Sequence, residues 1–203
     1  LFSLKPLCLA AMLCAATGAQ ADITVYTNEA SFLAAVSAPG VDTFDDLSVA
    51  PYGDVVYRTA GAYHYQAYSA TGIWGAGGPT DFWLSNNTRY NPIVFSQFSG
   101  GVSAFGGNFF ASDVAGQFVP DGTVVLTAVD GGTLTYDLAG ATTTSFLGFV
   151  STAPLSSVTL GTDGGPYWPT ANNVVLAVPE PGTYGMMLAG LALLGVAARR
   201  RRG

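Results

Sequence analysis

Beyond Cys8 and Cys14 this chain of 203 residues has no cysteine, and it carries one histidine, one lysine and few charges of either sign. Without thiols, residues 15 to 203 offer neither a disulfide framework nor a cysteine zinc site. The single histidine, His64, lies in Tyr63-His64-Tyr65-Gln66. It excludes a multi-histidine zinc site and leaves Ser-His-Asp chemistry with no nucleophile motif beside its only base. Charged residues make up 10% of the chain, too few for a coiled coil or a disordered tail. From 22 to 178 the only basic residues are Arg58 and Arg89, against eleven aspartates and Glu29, a net formal charge of −10. So acidic a segment excludes nucleic-acid binding through phosphates, which needs clustered Lys and Arg. What is abundant is glycine, 26 residues, with 12% aromatic and 49% hydrophobic residues. That balance predicts a glycine-rich β protein whose length suits one domain.

Both ends read differently from the middle. Lys5 gives a positive start, Pro6 to Ala16 an apolar run too short to span a bilayer, and Ala19-Gln20-Ala21 a small-x-small cleavage signature. Residues 1–21 are therefore expected to be a signal peptide cut before Asp22. A buried N-terminal helix is disfavoured by Pro6 and the helix-poor sequence that follows. A lipoprotein signal at Cys14 is disfavoured because Ala11-Met12-Leu13 precedes it.

At the other end, Val178-Pro179-Glu180-Pro181 precedes seventeen uncharged residues, Gly182 to Ala198, and then Arg199, Arg200, Arg201 and Arg202. A helix of that length covers about 25 Å, at the lower limit for crossing a hydrocarbon core of about 30 Å. The prolines stop it outward, and the arginines hold its far end on the cytoplasmic side. A transmembrane helix over about 182–198, with the main domain outside, is the expectation. A buried C-terminal helix fits poorly, because four glycines weaken it in water and four arginines end it without partners.

The Val-Pro-Glu-Pro motif, the glycine-rich apolar helix and the terminal arginines, in that order, resemble the PEP-CTERM sorting signal of exported bacterial proteins. The resemblance covers residues 178 to 203. It implies that a membrane-embedded exosortase recognises Pro179, Glu180 and Pro181, cleaves near them, and transfers or releases the ectodomain to the surface. These three are then substrate residues for another enzyme. Members of that family are typical of Gram-negative bacteria that make exopolysaccharide or biofilm matrix. The implied route is inner-membrane anchoring before processing, then the cell surface or matrix.

Between the ends, residues 22–178 read as one β-rich ectodomain, the tail being 179–203. Strand-like runs cover Ile23 to Tyr26, Val41 to Phe44, Val55 to Thr59, Tyr63 to Tyr68, Ile93 to Phe98, Gly101 to Phe105, Thr123 to Val129, Thr133 to Leu138, Ser145 to Val150, Ser157 to Leu160 and Asn173 to Val178. Asp130-Gly131-Gly132 predicts a hairpin, since Asp and Gly tolerate the positive φ of tight turns. Gly100-Gly101 and Gly106-Gly107 predict a turn and a bulge. Only Asn28 to Val36 looks helical, with Asn28 as N-cap and Glu29 in the first turn. One short helix beside many short strands predicts an all-β, two-sheet antiparallel sandwich of the jelly-roll kind. Thr43-Phe44-Asp45-Asp46, Phe105 to Phe110 and Phe146-Leu147-Gly148-Phe149 also resemble the jelly-roll ectodomains fused to this sorting tail.

For chemistry, glycoside hydrolysis needs two facing carboxylates, and no context among the aspartates selects a pair. Structural calcium suits the oxygen-rich composition, with Asp45, Asp46, Asp113 and Asn172 as the ligands to test. The competing reading makes these turn, cap or strand-opening residues. Aromatics concentrate from Tyr63 to Tyr90 and again at Tyr167-Trp168. Strand aromatics such as Tyr63 and Tyr65 are more often core, whereas Trp74 and Trp168, expected in glycine-rich loops, are the better sugar-stacking candidates. The expectation is an exported, non-catalytic surface or matrix protein associated with exopolysaccharide. The alternatives are a carbohydrate-binding module with a defined sugar site, or a glycan-active enzyme.

Overall fold

The computed structural model describes residues 22–180, so residues 1–21, where a signal peptide is expected, and the segment from Pro181 onward lie outside the description. Strand β1 (Ile23–Tyr26) leads to helix α1 (Glu29–Leu33), followed by β2 (Val36–Asp42), β3 (Val55–Ala60), β4 (Tyr63–Tyr68), β5 (Ile73–Gly78), β6 (Asp81–Asn86) and β7 (Ile93–Ser96). Then come β8 (Ala104–Ser112), β9 (Phe118–Val119), β10 (Val124–Val129), β11 (Thr133–Leu138), β12 (Phe146–Ser151), β13 (Ser157–Thr162) and β14 (Trp168–Pro179). The first sheet runs β1-β12-β8-β14-β6-β5, with β2 on β14 and β9 on β8; the second runs β11-β10-β13-β7-β4-β3.

The register defines the winding. β6 pairs with β14, β7 with β13, β8 with β12 and β10 with β11, all antiparallel. Among these eight strands each of the first four is matched with its mirror in the last four, a long hairpin rolled over two sheets, which is the jelly-roll topology. β1 and β5 widen the first sheet, and the β3–β4 hairpin widens the second.

Alternation built the second sheet as expected: in β4, Tyr63, Tyr65 and Ala67 are buried while His64 and Tyr68 face outward. The β10–β11 hairpin keeps its full register around Gly131, whose φ is +116°. The first sheet is covered on both faces, so β8 and β14 are almost continuously buried. Inside lie Phe95, Phe105 and Phe109. Outside, at one end, α1 seats Phe32 among Val36, Ala104, Phe146, Val175 and Ala177. Asn28 caps α1 as expected, its Oδ1 accepting from the Ser31 amide at 3.0 Å, but the helix stops at Leu33 and Val36 already belongs to β2.

Two expectations need correction. Gly106-Gly107 is not a bulge: both lie in unbroken register inside β8, and Gly106 faces Gly148 beneath Phe32. The bulge falls on β14, between Asn172 and Val175. Residues 73–86 are not a loop but the β5–β6 hairpin.

The Arg58 side chain joins the sheets. Its Nε and Nη2 donate to Asp42 at 2.9 and 2.6 Å, while Nη1 and Nη2 donate to Asp46 at 2.7 and 2.6 Å. The guanidinium lies 5.1 Å from the Phe44 ring centre. The Tyr65 hydroxyl donates to the same Asp42 at 2.7 Å. Burial works against the Arg58 charge, but the Asp46 and Asp42 hydrogen bonds outweigh it and hold the guanidinium protonated.

Candidate functional site

At the end of the first sheet opposite α1, the outer face opens into a cleft of about 230 Å³. β5 contributes Trp74 and Ala76, β6 contributes Ser85 and Asn86, and Trp168 enters from the first residue of β14. Trp74 pairs with Ser85 and Trp168 with Ser112, so the sheet register itself delivers both indoles to one side. Beneath them a hydroxyl chain ties three strands together. Ser85 Oγ donates to the Pro169 carbonyl at 3.0 Å, Thr170 Oγ1 donates to Ser85 Oγ at 3.3 Å, and Thr170 Oγ1 lies 2.7 Å from Ser112 Oγ. Satisfied buried hydroxyls of this kind fix the strand spacing and hence the floor.

The two walls are equally anchored. On one side the segment before β3 runs along β5: Pro51 bridges Trp74, the Gly75 amide donates to the Ala50 carbonyl at 3.0 Å, and Tyr52 donates its amide to Ile73 at 2.9 Å. On the other side the β8–β9 turn is closed by Asp113, whose Oδ1 accepts from the Ala115 and Gln117 amides at 2.8 and 2.9 Å. That turn is pinned to β5, with the Gly77 amide donating to Gly116 at 2.8 Å and Gln117 Nε2 donating to the Gly77 carbonyl at 3.1 Å. Each wall presents one exposed valine to the rim, Val49 at 51% and Val114 at 83% exposure. Apolar side chains that exposed, flanking half-buried indoles, give a ready-formed contact surface.

The sequence singled out Trp74 and Trp168, and the fold brings both into this cleft together with Asp113. The reason given for them was wrong: both sit on strands, because the glycines around Trp74 pack against neighbouring backbone instead of forming a loop. Tyr63 and Tyr65 are core, as is Trp83, which meets Phe110 edge-on at 4.8 Å. Tyr167 is a clamp: its hydroxyl donates to Asp163 Oδ1 at 2.5 Å and accepts from the Thr123 amide at 3.0 Å. That bond holds the Asp163 carboxyl below its usual value, while burial and Asp163 raise the Tyr167 phenol.

The residues nominated for calcium are engaged in other ways. Asp46 is paired with Arg58, whose hydrogen bond holds its carboxyl below the ordinary 3.8. Asp45 is exposed in a turn, Asp113 closes its own turn, and Asn172 is buried with Nδ2 donating to Asp81 at 2.9 Å. Asn172 sits at the β14 bulge and does not open that strand. Among the described residues no group of three or more His, Cys, Asp or Glu is placed to hold a metal ion.

Sequence reasoning missed Val49, Ser85, Asn86, Asn87 and Val114. The available signal was Pro79-Thr80 between two equal runs of six, Ile73 to Gly78 and Asp81 to Asn86, a hairpin turn that would have put Trp74 opposite Ser85.

Pro179 closes β14 opposite Val36, and the Glu180 amide donates to the Ala35 carbonyl at 3.2 Å. Pro179 and Glu180 are thus docked on the sandwich. Pro181, Arg199, Arg200, Arg201, Arg202, Ala19 and Ala21 lie outside the described residues, as does the apolar stretch 182–198. Among the described residues no helix is long and apolar enough to cross a membrane.

Fold and site define an all-β sandwich domain with an aromatic cleft on one sheet, its last strand running into a tail. That tail is identified by comparison: residues 177–202 match the PEP-CTERM protein-sorting motif. The chain carries this sorting motif behind a β-sandwich domain, and PEP-CTERM proteins are exported and processed by exosortase at the membrane. No curated protein and no solved structure matches the chain.

Proposed function

We propose that the protein is a non-catalytic surface or matrix component that binds exopolysaccharide through the Trp74–Trp168 cleft once the sorting tail has delivered it. The observation that carries this reading is the convergence of two half-buried indoles, from strands almost a hundred residues apart, on one cleft with anchored walls. Indole faces stack on the C–H faces of sugar rings, and the exposed Asn87 amide on the lining serves the ring hydroxyls. Asp113 is the only carboxylate lining the cleft, whereas glycoside hydrolysis needs two. This supports binding without turnover.

The test is retention of the full chain, purified in mild detergent, on polysaccharide from the native host. Retention lost in both Trp74→Ala and Trp168→Ala, with unchanged circular dichroism, is the expected result. Equal retention of the variants, or no retention on any host glycan, removes the reading. Sorting is read separately from intact masses: a surface species beginning at Asp22 and ending near Pro179 to Pro181 is expected, with the tail kept in an exosortase-deficient strain.

A further inference from the structure

The cleft also carries information about which sugar it takes. Among the described residues no arginine, lysine or histidine lines it. The two basic residues of the described domain are spent elsewhere, Arg58 on Asp42 and Asp46, and Arg89 against the Tyr90 ring at 4.7 Å. Asp113 is the one charge on the lining, and both of its hydrogen bonds fall on Oδ1. The surrounding domain carries a net formal charge of −10 over residues 22–178. A uronate or sulfated sugar placed here would bring an anion beside a carboxylate, in a field of its own sign, with no cation to receive it. An ammonium group meets the opposite situation: Asp113 attracts it, and the indole faces attract cations as well.

Size limits the ligand too. About 230 Å³ lies below the roughly 300–1,000 Å³ of sites that enclose a drug-sized molecule, so the cleft holds about one sugar ring. The rest of a chain would run over the Val49 and Val114 rims.

Resting on the exopolysaccharide-binding reading above, we infer that the cleft selects an amine-bearing hexosamine unit, accepts a neutral hexose or N-acetylhexosamine more weakly, and rejects uronates. Asp113 is the selecting residue, and the two indoles supply the ring contact common to all accepted sugars.

The experiment titrates the full chain in mild detergent with four hexamers of matched length: glucosamine, N-acetylglucosamine, glucose and galacturonic acid, following tryptophan fluorescence and heat. Expected is the order glucosamine, then the two neutral oligomers, with galacturonate undetectable. Asp113→Asn keeps an amide oxygen for the Ala115 and Gln117 amides, so the turn persists. It should weaken only the glucosamine hexamer, by about fivefold, bringing it to the neutral level. Val114→Arg, at a side chain 83% exposed and therefore harmless to folding, should admit the galacturonate hexamer. Galacturonate binding to the unmodified protein as tightly as glucose, or Asp113→Asn weakening all sugars alike, overturns the selectivity while leaving a glycan site. Binding of none of the four hexamers, together with no retention on host polysaccharide, overturns both.

Discussion

Replacing Arg58 by methionine tests the account of what holds the two sheets together. Asp42 is 5% exposed and Arg58 12%, whereas Asp46 is 67% exposed. Arg58→Met leaves the Asp42 carboxylate buried with only the Tyr65 hydroxyl and the Phe44 amide as donors. Removing one partner of a buried ion pair costs about 3–5 kcal/mol. The Asp46 arm sits in water, where such a pair contributes about 0–1 kcal/mol. For a domain of this size 1 kcal/mol moves Tm by about 2–4 °C. Arg58→Met should therefore lower Tm by about 6–20 °C, and Asp46→Asn by less than about 4 °C. The double variant Asp42→Asn with Arg58→Met should lose less than Arg58→Met alone, because no charge is then stranded. Thermal unfolding followed by circular dichroism measures all three. If Asp46→Asn costs as much as Arg58→Met, or if the double variant is the worst, the stranded-charge argument fails.

Three further outcomes follow from other contacts. In Gly148→Ala the new Cβ would stand 2.4 Å from Phe32 Cδ2, so α1 must shift at a cost of about 1–3 kcal/mol, and Phe32→Leu in the same chain should recover part of it; unchanged urea midpoints would refute the packing. Burial, aided by the Asp42 charge, raises the Tyr65 phenol well above 10.0. Its share of stability is present below that pH and lost as pH rises above it, when the unfolded chain ionises first. Unfolding free energy should then fall more steeply above pH 10 in the unmodified protein than in Tyr65→Phe, and parallel curves would contradict this. Ending the domain at Ala177 removes the pairing of Val178, Pro179 and Glu180 with the α1–β2 segment and should cost about 1–2 kcal/mol relative to ending at Glu180, read as the difference in urea midpoint; equal midpoints would show that the sorting motif does not dock.

Hairpins and faces were legible because they depend on near neighbours. The hairpin at Asp130-Gly131-Gly132 and the inward face of Tyr63 and Tyr65 follow from residue type alone. The glycine-rich stretch from Ile73 to Gly78 misled, since glycine marks a loop locally but here lets Gly75 approach the Ser48 carbonyl, a contact between distant segments. Gly106-Gly107 misled likewise: what Gly106 accommodates is Phe146 and Phe32, the latter more than seventy residues upstream. The two tryptophans stand out as aromatics among glycines, and they share a cleft only because β14 returns beside β6, the hairpin partner of β5.

By itself the sequence determined the class and the destination of this protein. Period-two alternation, turn chemistry and the missing cysteines and histidines made it an all-β, thiol-free domain, and a short linear motif at residues 177–202 marked it for sorting. Such features are read locally, by backbone sterics or by another enzyme's recognition of a contiguous segment. Only the tertiary structure decided that Trp74, Trp168 and Asp113 share one cleft, that Arg58 serves Asp42 and Asp46 and leaves the cleft without a cation, and that Pro179 and Glu180 rest on the strand that follows α1. Those facts depend on which distant strands pair, and in a rolled antiparallel sandwich that pairing is set by burial of the whole core rather than by any one stretch of chain.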